Sequence, residues 1–307
     1  MTSNSPNMDR NIDRPIFLIG CPRSGTTIIF DALSIHPDLS WFSQYLDRRP
    51  HCPWVNLINR IAHIPFARKR INRRRNLFPF IPEPSEGWEI WRQACGDKFL
   101  YSSVNNRDPV PEEKQKIEAI MKDTLVYQGR KRFVAKLTGP PRIIYLKKIF
   151  PDAVFIHIIR DGRAVVNSLM KVFFWKQGHG YDKPWWEDLP EDYYQKWIES
   201  KKSPHALAAL QWKNILQQTE SEMAGFSTHD FLTVKYEDFT ENPQEVIRNI
   251  FEACSLNFPA NIIKHLKNLD IKSMDYKWKA DLKRQDLAMI ENLIGETLLQ
   301  YGYQLIT

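Results

Sequence analysis

A short loop near the start of the chain has the composition of a phosphate-binding loop. It lies between the apolar run Ile16–Gly20 and an amphipathic pattern. The donors and the glycine that could contact an anion there are Arg23, Ser24, Gly25, Thr26 and Thr27. A helix N-terminus presents unpaired N–H groups and partial positive charge to an anion. This order of segments therefore predicts a strand, a phosphate-binding loop and a helix.

The loop departs at one position from the rule for nucleotide kinases. That rule requires a lysine directly after the second glycine, but Thr26 follows Gly25. Kinases also hold Mg²⁺ through the loop hydroxyl and an aspartate on a second strand, whereas the apolar run Val154–Ile159 ends in Arg160. A P-loop nucleotide-dependent kinase is therefore the rival enzyme class.

A second candidate anion site follows the run Val154–Ile159. Arg160 leaves the carboxyl end of this predicted strand, and Ser168 lies inside the helix that comes next. An arginine offers a permanently charged fork and a serine adds a hydroxyl, so both could bind one phosphate. The alternative is that Arg160, Asp161 and Arg163 only cap that helix.

Alternating apolar and amphipathic segments must position these groups. Strands are predicted at Ile16–Gly20, Leu39–Phe42, Phe133–Lys136, Val154–Ile159 and Phe231–Lys235. Helices are predicted at Thr27–Ile35, Val55–Asn72, Glu112–Tyr127, Arg142–Ile149, Gly162–Lys171, Ser203–Gly225, Pro243–Ala253 and Asp281–Tyr301. This alternation predicts an α/β fold, with a P-loop-like central parallel sheet flanked by helices on both faces. Ligands bind outside the carboxyl ends of the strands in such sheets.

Composition indicates one globular domain across residues 1–307, with residues 1–13 as a loose N-terminal tail. The chain is 43% hydrophobic and 12% aromatic, which is typical of folded proteins. No apolar run approaches the ~20 residues of a membrane span. The four cysteines lack metal-binding spacing, which predicts reduced thiols, no metal site and a cytoplasmic location.

The positive charge is concentrated in one segment, residues 48–82, which contains no Asp or Glu. Its basic residues are Arg48, Arg49, Arg60, Arg68, Lys69, Arg70, Arg73, Arg74 and Arg75. Because the whole chain carries a net charge of +7, the remainder is slightly acidic. An anionic acceptor, a membrane surface and a solvated helix face are all compatible with this segment. A nucleic-acid-binding protein built on residues 68–75 is a further alternative, although no base-reading module accompanies the charge, and no specific nucleic acid partner is expected.

Taken together, the two anion motifs resemble the sulfotransferase family, whose members use 3′-phosphoadenosine 5′-phosphosulfate (PAPS). The motifs are Pro22–Thr27 and the Arg160-to-Ser168 pair at a spacing of eight. Residues 234–239 with Asn242-Pro243, and the ending around Tyr276 and residues 301–303, also resemble the family. The resemblance covers roughly residues 14–45 and 130–303.

The resemblance implies roles for individual residues. The first motif (Arg23, Ser24, Gly25, Thr26, Thr27) would bind the 5′-phosphosulfate, and Arg160 with Ser168 would bind the 3′-phosphate. Further cofactor contacts are expected from Tyr236, Lys277 and Lys279. PAPS would be the donor and 3′-phosphoadenosine 5′-phosphate (PAP) the product, with no metal required. The sulfuryl group would be transferred in line to an acceptor hydroxyl or amine. Catalysis would come from positioning the reactants and from stabilising charge on the leaving phosphate and the equatorial oxygens.

Arg23 and the pattern His36-Pro37-Asp38 make the chain similar to the bacterial and tyrosylprotein branch, rather than to the cytosolic small-molecule enzymes. In that branch a lysine matching Lys136 lies at the active site; the alternative is an ordinary strand-end lysine. Arg23 and Lys136 are therefore expected to be catalytic.

The expected general base is Glu86. Tyrosylprotein sulfotransferases have a glutamate after the His-Pro-Asp pattern, but the matching positions here are near Ser43 and Gln44, which cannot act as bases. Substitutes are Glu86, Glu83 and His51, and a helix-start carboxylate is the alternative role for Glu86.

The missing glutamate also bears on the acceptor and on the class of protein. A small molecule, glycan or lipid is expected as acceptor rather than a peptide tyrosine. The basic segment 48–82 and the tryptophan-rich segment 173–202 are expected insertions that cap the acceptor site; the second could equally be a packed lid. The absent glutamate also keeps open a degenerate sulfotransferase fold used only for binding.

Overall fold

A five-stranded parallel sheet forms the centre of the protein, in the order β2-β3-β1-β4-β5. The computed structural model describes residues 11–62, 82–177, 180–269, 271 and 276–306. The strands are β1 Ile16–Gly20, β2 Leu39–Ser40, β3 Arg132–Thr138, β4 Val154–Ile159 and β5 Phe231–Lys235. Because β1 lies between β3 and β4, the loop after β1 has the carboxyl ends of both neighbours beside it. This is the predicted P-loop-like α/β fold.

Helices connect the strands. In the first half they are α1 Thr26–Ser34, α2 Gln44–Arg48, a 3-10 helix Pro53–Ile58, α3 Asn59–Ala62, α4 Trp88–Cys95, α5 Lys98–Tyr101, α6 Pro111–Gln128 and α7 Ile143–Ile149. In the second half they are α8 Gly162–Leu169, α9 Phe173–Gln177, α10 Glu191–Glu199, α11 Pro204–Met223, a 3-10 helix Thr228–Asp230, α12 Tyr236–Glu241, α13 Pro243–Ala253, α14 Ala260–Asn268, α15 Lys277–Asp281 and α16 Arg284–Gln300.

Both faces of the sheet are covered, because successive side chains of a strand point to opposite faces. On β1, Phe17 and Ile19 belong to one buried cluster, which also includes residues of α4, α6 and α7. Ile16 and Leu18 belong to another, with residues of α1, α13 and α14. Five consecutive buried residues explain why β1 is a continuous apolar run in the sequence.

Two sequence predictions within residues 39–72 differ from the structure. The predicted strand Leu39–Phe42 is only Leu39–Ser40, since the chain turns at Phe42 to begin α2. In place of the predicted helix Val55–Asn72, the described part is the 3-10 helix Pro53–Ile58 followed by α3. Residues 63–72 lie outside the described residues, as do most of the predicted basic insertion and the cluster 68–75.

Tryptophans of segment 173–202 contribute to the core. Trp175 and Trp186 are buried in a cluster with α8, α11 and α16, and Trp197 is buried against α11. Trp185 is only half-buried and contacts Tyr101 and the exposed Phe174 edge-on. No helix in the described ranges is long and apolar enough to cross a membrane.

Candidate active site

The loop after β1 is shaped by backbone that favours glycine. Gly25 has a φ of 84° and caps α1. A Cβ there would lie 2.0 Å from Cδ2 of Tyr236, so the tyrosine ring packs directly on the loop backbone. Arg23 also adopts a left-handed φ, 73°, which non-glycine residues rarely do and which is typical of functional sites.

Ser24 presents an unsatisfied hydroxyl inside this loop. The residue is fully buried, and its Oγ has no hydrogen-bond partner among the residues that the structure describes. Its backbone N–H is engaged, donating to the carbonyl of Cys21 at 3.2 Å. Leaving a buried hydroxyl unpaired costs about 1–3 kcal/mol, which an anion bound at the N-terminus of α1 would remove.

Lys136 brings an ammonium group to the loop from β3. Its Nζ donates to Oγ1 of Thr27 at 2.9 Å. The side chain is only 8% exposed, so Lys136 is not an ordinary strand-end lysine in solvent. The loop has no lysine after Gly25, but Lys136 of the neighbouring strand β3 brings an ammonium group to the same loop.

Glu86 shares this ammonium. Its Oε1 lies 2.9 Å from Lys136 Nζ, and its Oε2 accepts a hydrogen bond of 2.8 Å from Thr138 Oγ1. Lys136 and Thr138 lie two residues apart on β3 and therefore point to the same side. Helix α4 begins two residues after Glu86, with Gly87 as its N-cap. The Glu86 side chain is bound to Lys136 and Thr138 and does not form this cap.

A short antiparallel pairing places Glu86 there. Ser43 forms a bridge with Pro84, the N–H of Gln44 donates to the carbonyl of Glu83 at 3.0 Å, and Ser85 N–H donates to the carbonyl of Phe42 at 2.7 Å. The segment that carries Glu86 thus lies beside Ser43, the position where the resemblance expects a glutamate.

The two other candidate bases are placed differently. Glu83 is exposed, and its N–H is bound to the side chain of Gln44. His51 is exposed and lies near Glu89. Of the three candidates, Glu86 is the one that the structure shows in contact with Lys136.

The two anion motifs meet on the other side of the loop. Nε of Arg23 donates to Oγ of Ser168 at 2.9 Å, and Nη1 of Arg160 donates to the carbonyl of Arg23 at 3.1 Å. Burial, and secondarily the charge of Arg160, lowers the pKa of Arg23. The two guanidinium groups repel each other at this distance, and an anion bound between them would relieve that repulsion.

Tyr236 joins this group at the start of α12. Its ring lies 4.3 Å from the Arg160 guanidinium carbon and packs against Gly25. The aromatic ring thus lies between the loop and Arg160, within the 6 Å range of a cation–π contact.

The helix-capping role belongs to the neighbours of Arg160. Asp161 caps α8 by accepting from the N–H of Arg163 at 2.9 Å. The guanidinium of Arg163 is paired with Asp161 at 2.7 Å and with Glu291 at 2.5 Å. These two ion pairs involve Asp161 and Arg163, whereas Arg160 points to the loop.

Lys277 and Lys279 lie on α15 and are exposed. Helix α15 is joined to α8 because Asn167 Nδ2 donates to Oδ2 of Asp281 at 2.9 Å and Trp278 packs on the guanidinium of Arg163. The two lysines are therefore carried beside the helix that contains Ser168. Across the described ranges, no group of three or more His, Cys, Asp or Glu side chains could hold a metal ion.

Similarity to known proteins agrees with this geometry. The family model described as "Sulfotransferase family" matches residues 15–260. The chain belongs to the sulfotransferase family. As a sulfotransferase-family protein, it is 24% identical to "Omega-hydroxy-beta-dihydromenaquinone-9 sulfotransferase Stf3" of Mycobacterium tuberculosis, over 95% of this chain and 76% of that relative. It is 23% identical to "Protein-tyrosine sulfotransferase A" of Caenorhabditis elegans, over 81% of this chain and 52% of that relative.

Solved structures show that this sulfotransferase has the fold of bacterial members. Sulfotransferase STF9 from Mycobacterium avium matches with a TM-score of 0.59 and 16% identity, covering 97% of this chain and 79% of that one. STF1 from Mycobacterium tuberculosis gives 0.56 and 18%, covering 94% and 78%.

One member of the site, Thr138, was missed from the sequence. It lies two residues after Lys136, and strand alternation alone places both side chains on one side. The predicted strand ended at Lys136, whereas β3 continues to Thr138.

Proposed function

We propose that this sulfotransferase uses PAPS as its donor and releases PAP. The observation that carries the proposal is the direct junction of the two anion motifs, in which Arg23 bonds Ser168 while Arg160 bonds the Arg23 carbonyl. A donor with phosphate groups at both ends of its ribose requires two adjacent anion sites. The buried Ser24 hydroxyl supports one of them, and the paired guanidiniums support the other.

The residues divide into three roles. Ser24, the loop amides and Thr27 would hold the 5′-phosphosulfate. Arg160 and Ser168 would hold the 3′-phosphate, with Tyr236 against the nucleoside. Lys277 and Lys279 would add positive charge at the nucleotide from α15.

Catalysis would depend on Lys136, Arg23 and Glu86. Glu86 takes the proton of the acceptor hydroxyl while that oxygen bonds to sulfur and the bond from sulfur to the bridging oxygen breaks. Lys136 and Arg23 stabilise the negative charge that develops on the leaving phosphate. In the structure Lys136 is bound to Thr27 and Glu86, so one ammonium lies next to both the loop and the candidate base.

The acceptor would be a small molecule, glycan or lipid. The relative Stf3 is named for a lipid acceptor, omega-hydroxy-beta-dihydromenaquinone-9. The aromatic row of Tyr101, Trp185 and Phe174 would offer it an apolar wall. The next residue after Trp185, Trp186, lies against Gly139, which directly follows Thr138 of the site. The Nε1 of Trp186 is 2.6 Å from the position that a Cβ of Gly139 would take.

Labelled sulfuryl transfer tests this function. The protein would be incubated with sulfur-labelled PAPS and a panel of quinol lipids, sterols, phenols, oligosaccharides and tyrosine peptides. We expect labelled product to form in the presence of a chelator, and we expect no product from Lys136→Met. Lys148→Met is the matched control, since that lysine pairs with Asp108 on the surface. Transfer that needs ATP and is abolished by the chelator would assign a kinase, and PAP binding without turnover across the panel would assign a binding protein.

A further inference from the structure

The 3-10 helix Pro53–Ile58 exposes large apolar side chains that the proposed catalysis does not use. Trp54, Leu57 and Ile58 are 57%, 45% and 38% exposed. Side chains three residues apart eclipse each other on a 3-10 helix, so Trp54 and Leu57 form one row and Ile58 adjoins it. We call these three side chains the apolar ridge.

Polar bonds on the opposite side of this helix hold the ridge outward. The buried side chain of Asn56 accepts from Ser43 Oγ at 3.2 Å and donates to Thr124 Oγ1 at 3.4 Å. One turn later, Nε of Arg60 donates to the carbonyl of Tyr127 at 2.7 Å. Turning the ridge inward would break these bonds and leave buried polar groups unpaired.

Basic side chains precede the apolar ridge. Arg48 and Arg49 come before the 3-10 helix and are exposed, and residues 48–62 contain no Asp or Glu. Asp47, the acid just before this segment, is half-buried and accepts from Ser85 Oγ at 2.7 Å and from Glu89 N–H at 2.9 Å. Exposed aromatic and aliphatic side chains can insert into the boundary between the headgroups and the acyl chains of a bilayer. Anionic headgroups attract the cationic side chains beside them.

We propose that the apolar ridge, with Arg48 and Arg49, docks this protein on a bilayer that contains anionic phospholipid. Leu57 and Ile58 favour a bilayer over a nucleic acid, because aliphatic side chains neither stack on bases nor bind phosphates, whereas acyl chains desolvate them.

Docking would bring the candidate active site close to the lipid. Asn56 under the ridge is bonded to Ser43, and Ser43 pairs with the segment that carries Glu86. Because this step rests on the proposed function, it predicts an acceptor that is itself carried in a bilayer.

Vesicle co-sedimentation tests the docking surface. The full chain would be mixed with vesicles of phosphatidylcholine alone, or of phosphatidylcholine with phosphatidylglycerol. We expect binding to the anionic vesicles only, and a partition coefficient at least about tenfold lower for Trp54→Ser/Leu57→Ser. The matched control is Val110→Ser, which removes an equally exposed apolar side chain at the start of α6. Arg48→Gln/Arg49→Gln should weaken binding and reduce its salt dependence.

Three outcomes would overturn the proposal. The first is that the wild type does not bind anionic vesicles, and the second is that Trp54→Ser/Leu57→Ser partitions as the wild type does. The third is that an RNA duplex displaces the protein from the vesicles and binds the wild type and this variant with equal affinity. PAP binding, measured on the same variants, should be unchanged throughout. Loss of vesicle binding with intact PAP binding therefore separates this inference from the donor assignment.

Discussion

A continuous set of polar contacts lies beside the loop that follows β1. It joins Lys136 to Thr27 and to Glu86, and Glu86 to Thr138. A lysine ammonium has three donors and no acceptor, so contact with a hydroxyl and a carboxylate leaves it able to donate once more. At the residue scale, this remaining donor is what Lys136 can offer to a leaving phosphate. The carboxylate of Glu86 is held by two donors and faces the same region.

Replacing Glu86 by glutamine tests its role as base. Glutamine keeps the shape and accepts from Thr138 but cannot take a proton, so we expect kcat to fall by about 100-fold or more. Calorimetry should give the same PAP affinity as the wild type. Glu83→Gln is the matched control, because that exposed side chain lies in the same segment; similar turnover of the two variants would contradict the assignment.

Replacing Gly25 by alanine tests the contact between the loop and Tyr236. The new Cβ would lie 2.0 Å from the tyrosine ring, so the ring must shift from its present position between the loop and Arg160. We expect PAP affinity to fall at least about tenfold. Gly96→Ala separates strain from clash, because Gly96 has a similar φ of 80° but open space around its Cβ position. Gly96→Ala should lose stability and keep its PAP affinity. An equal loss of PAP affinity in both variants would show that the contact between Gly25 and Tyr236 is not responsible for the effect.

At the scale of elements, α8 is the helix on which the proposed 3′-phosphate site depends. Its start is fixed by the Asp161 cap, its side by the ion pairs of Arg163, and its far end carries Ser168. The Arg163 guanidinium, only 4% exposed, bridges Asp161 to Glu291 of α16. Helix α8 is thereby attached to the C-terminal helix.

Asp161→Ala should destabilise the fold more than the loss of a cap alone. It removes the cap and one carboxylate of a buried ion pair, so we expect a loss of about 2–4 kcal/mol in the free energy of unfolding. Ser203→Ala, which removes only the cap of α11, should cost about 1 kcal/mol. Urea denaturation of both variants measures the difference, and equal losses would contradict the importance of the Arg163 pairs.

The elements that sequence reasoning located well are those specified by local pattern. Strands Ile16–Gly20, Val154–Ile159 and Phe231–Lys235 have the predicted bounds, as does helix Pro243–Ala253. A buried strand in a parallel sheet is apolar on both faces, and its ends are therefore visible in the sequence.

Other features depend on contacts between distant segments and were not predictable in this way. The pairing of Ser43 with Pro84 joins positions 41 residues apart, so only the fold shows that Glu86 reaches Lys136. Helix α12 begins at Tyr236, directly after β5, in a polar stretch with little helical periodicity. The contact between Arg23 and Ser168 spans 145 residues; the sequence assigned these residues to two separate anion sites and did not predict that they touch.

At the scale of the whole molecule, the buried histidine His157 contributes to the pH dependence of stability. His157 lies in the centre of β4, and burial lowers its pKa to about 4. The folded protein keeps this ring neutral, whereas the unfolded chain protonates it near its ordinary pKa of about 6.5. Protons therefore favour the unfolded state, and stability declines as the pH falls from about 6.5 towards 4.

Between pH 7 and pH 5 we expect this group to cost about 2 kcal/mol of unfolding free energy. His157→Leu removes the titrating ring and should have a smaller loss over that interval, whatever its stability at pH 7. Urea denaturation at the two pH values gives both differences. Parallel losses in wild type and variant would show that His157 is not responsible.

In the proposed function, two linked anion sites bind one nucleotide with two phosphate groups. Titration calorimetry with PAP tests it most directly, using the wild type, Arg160→Ala and the control Arg248→Ala, whose guanidinium packs on Phe258 instead. Removing a charge-assisted contact to phosphate should weaken PAP binding about ten- to a hundredfold in Arg160→Ala and leave the control unchanged. Failure of the wild type to bind PAP, or equal affinity of wild type and Arg160→Ala, would contradict the claim.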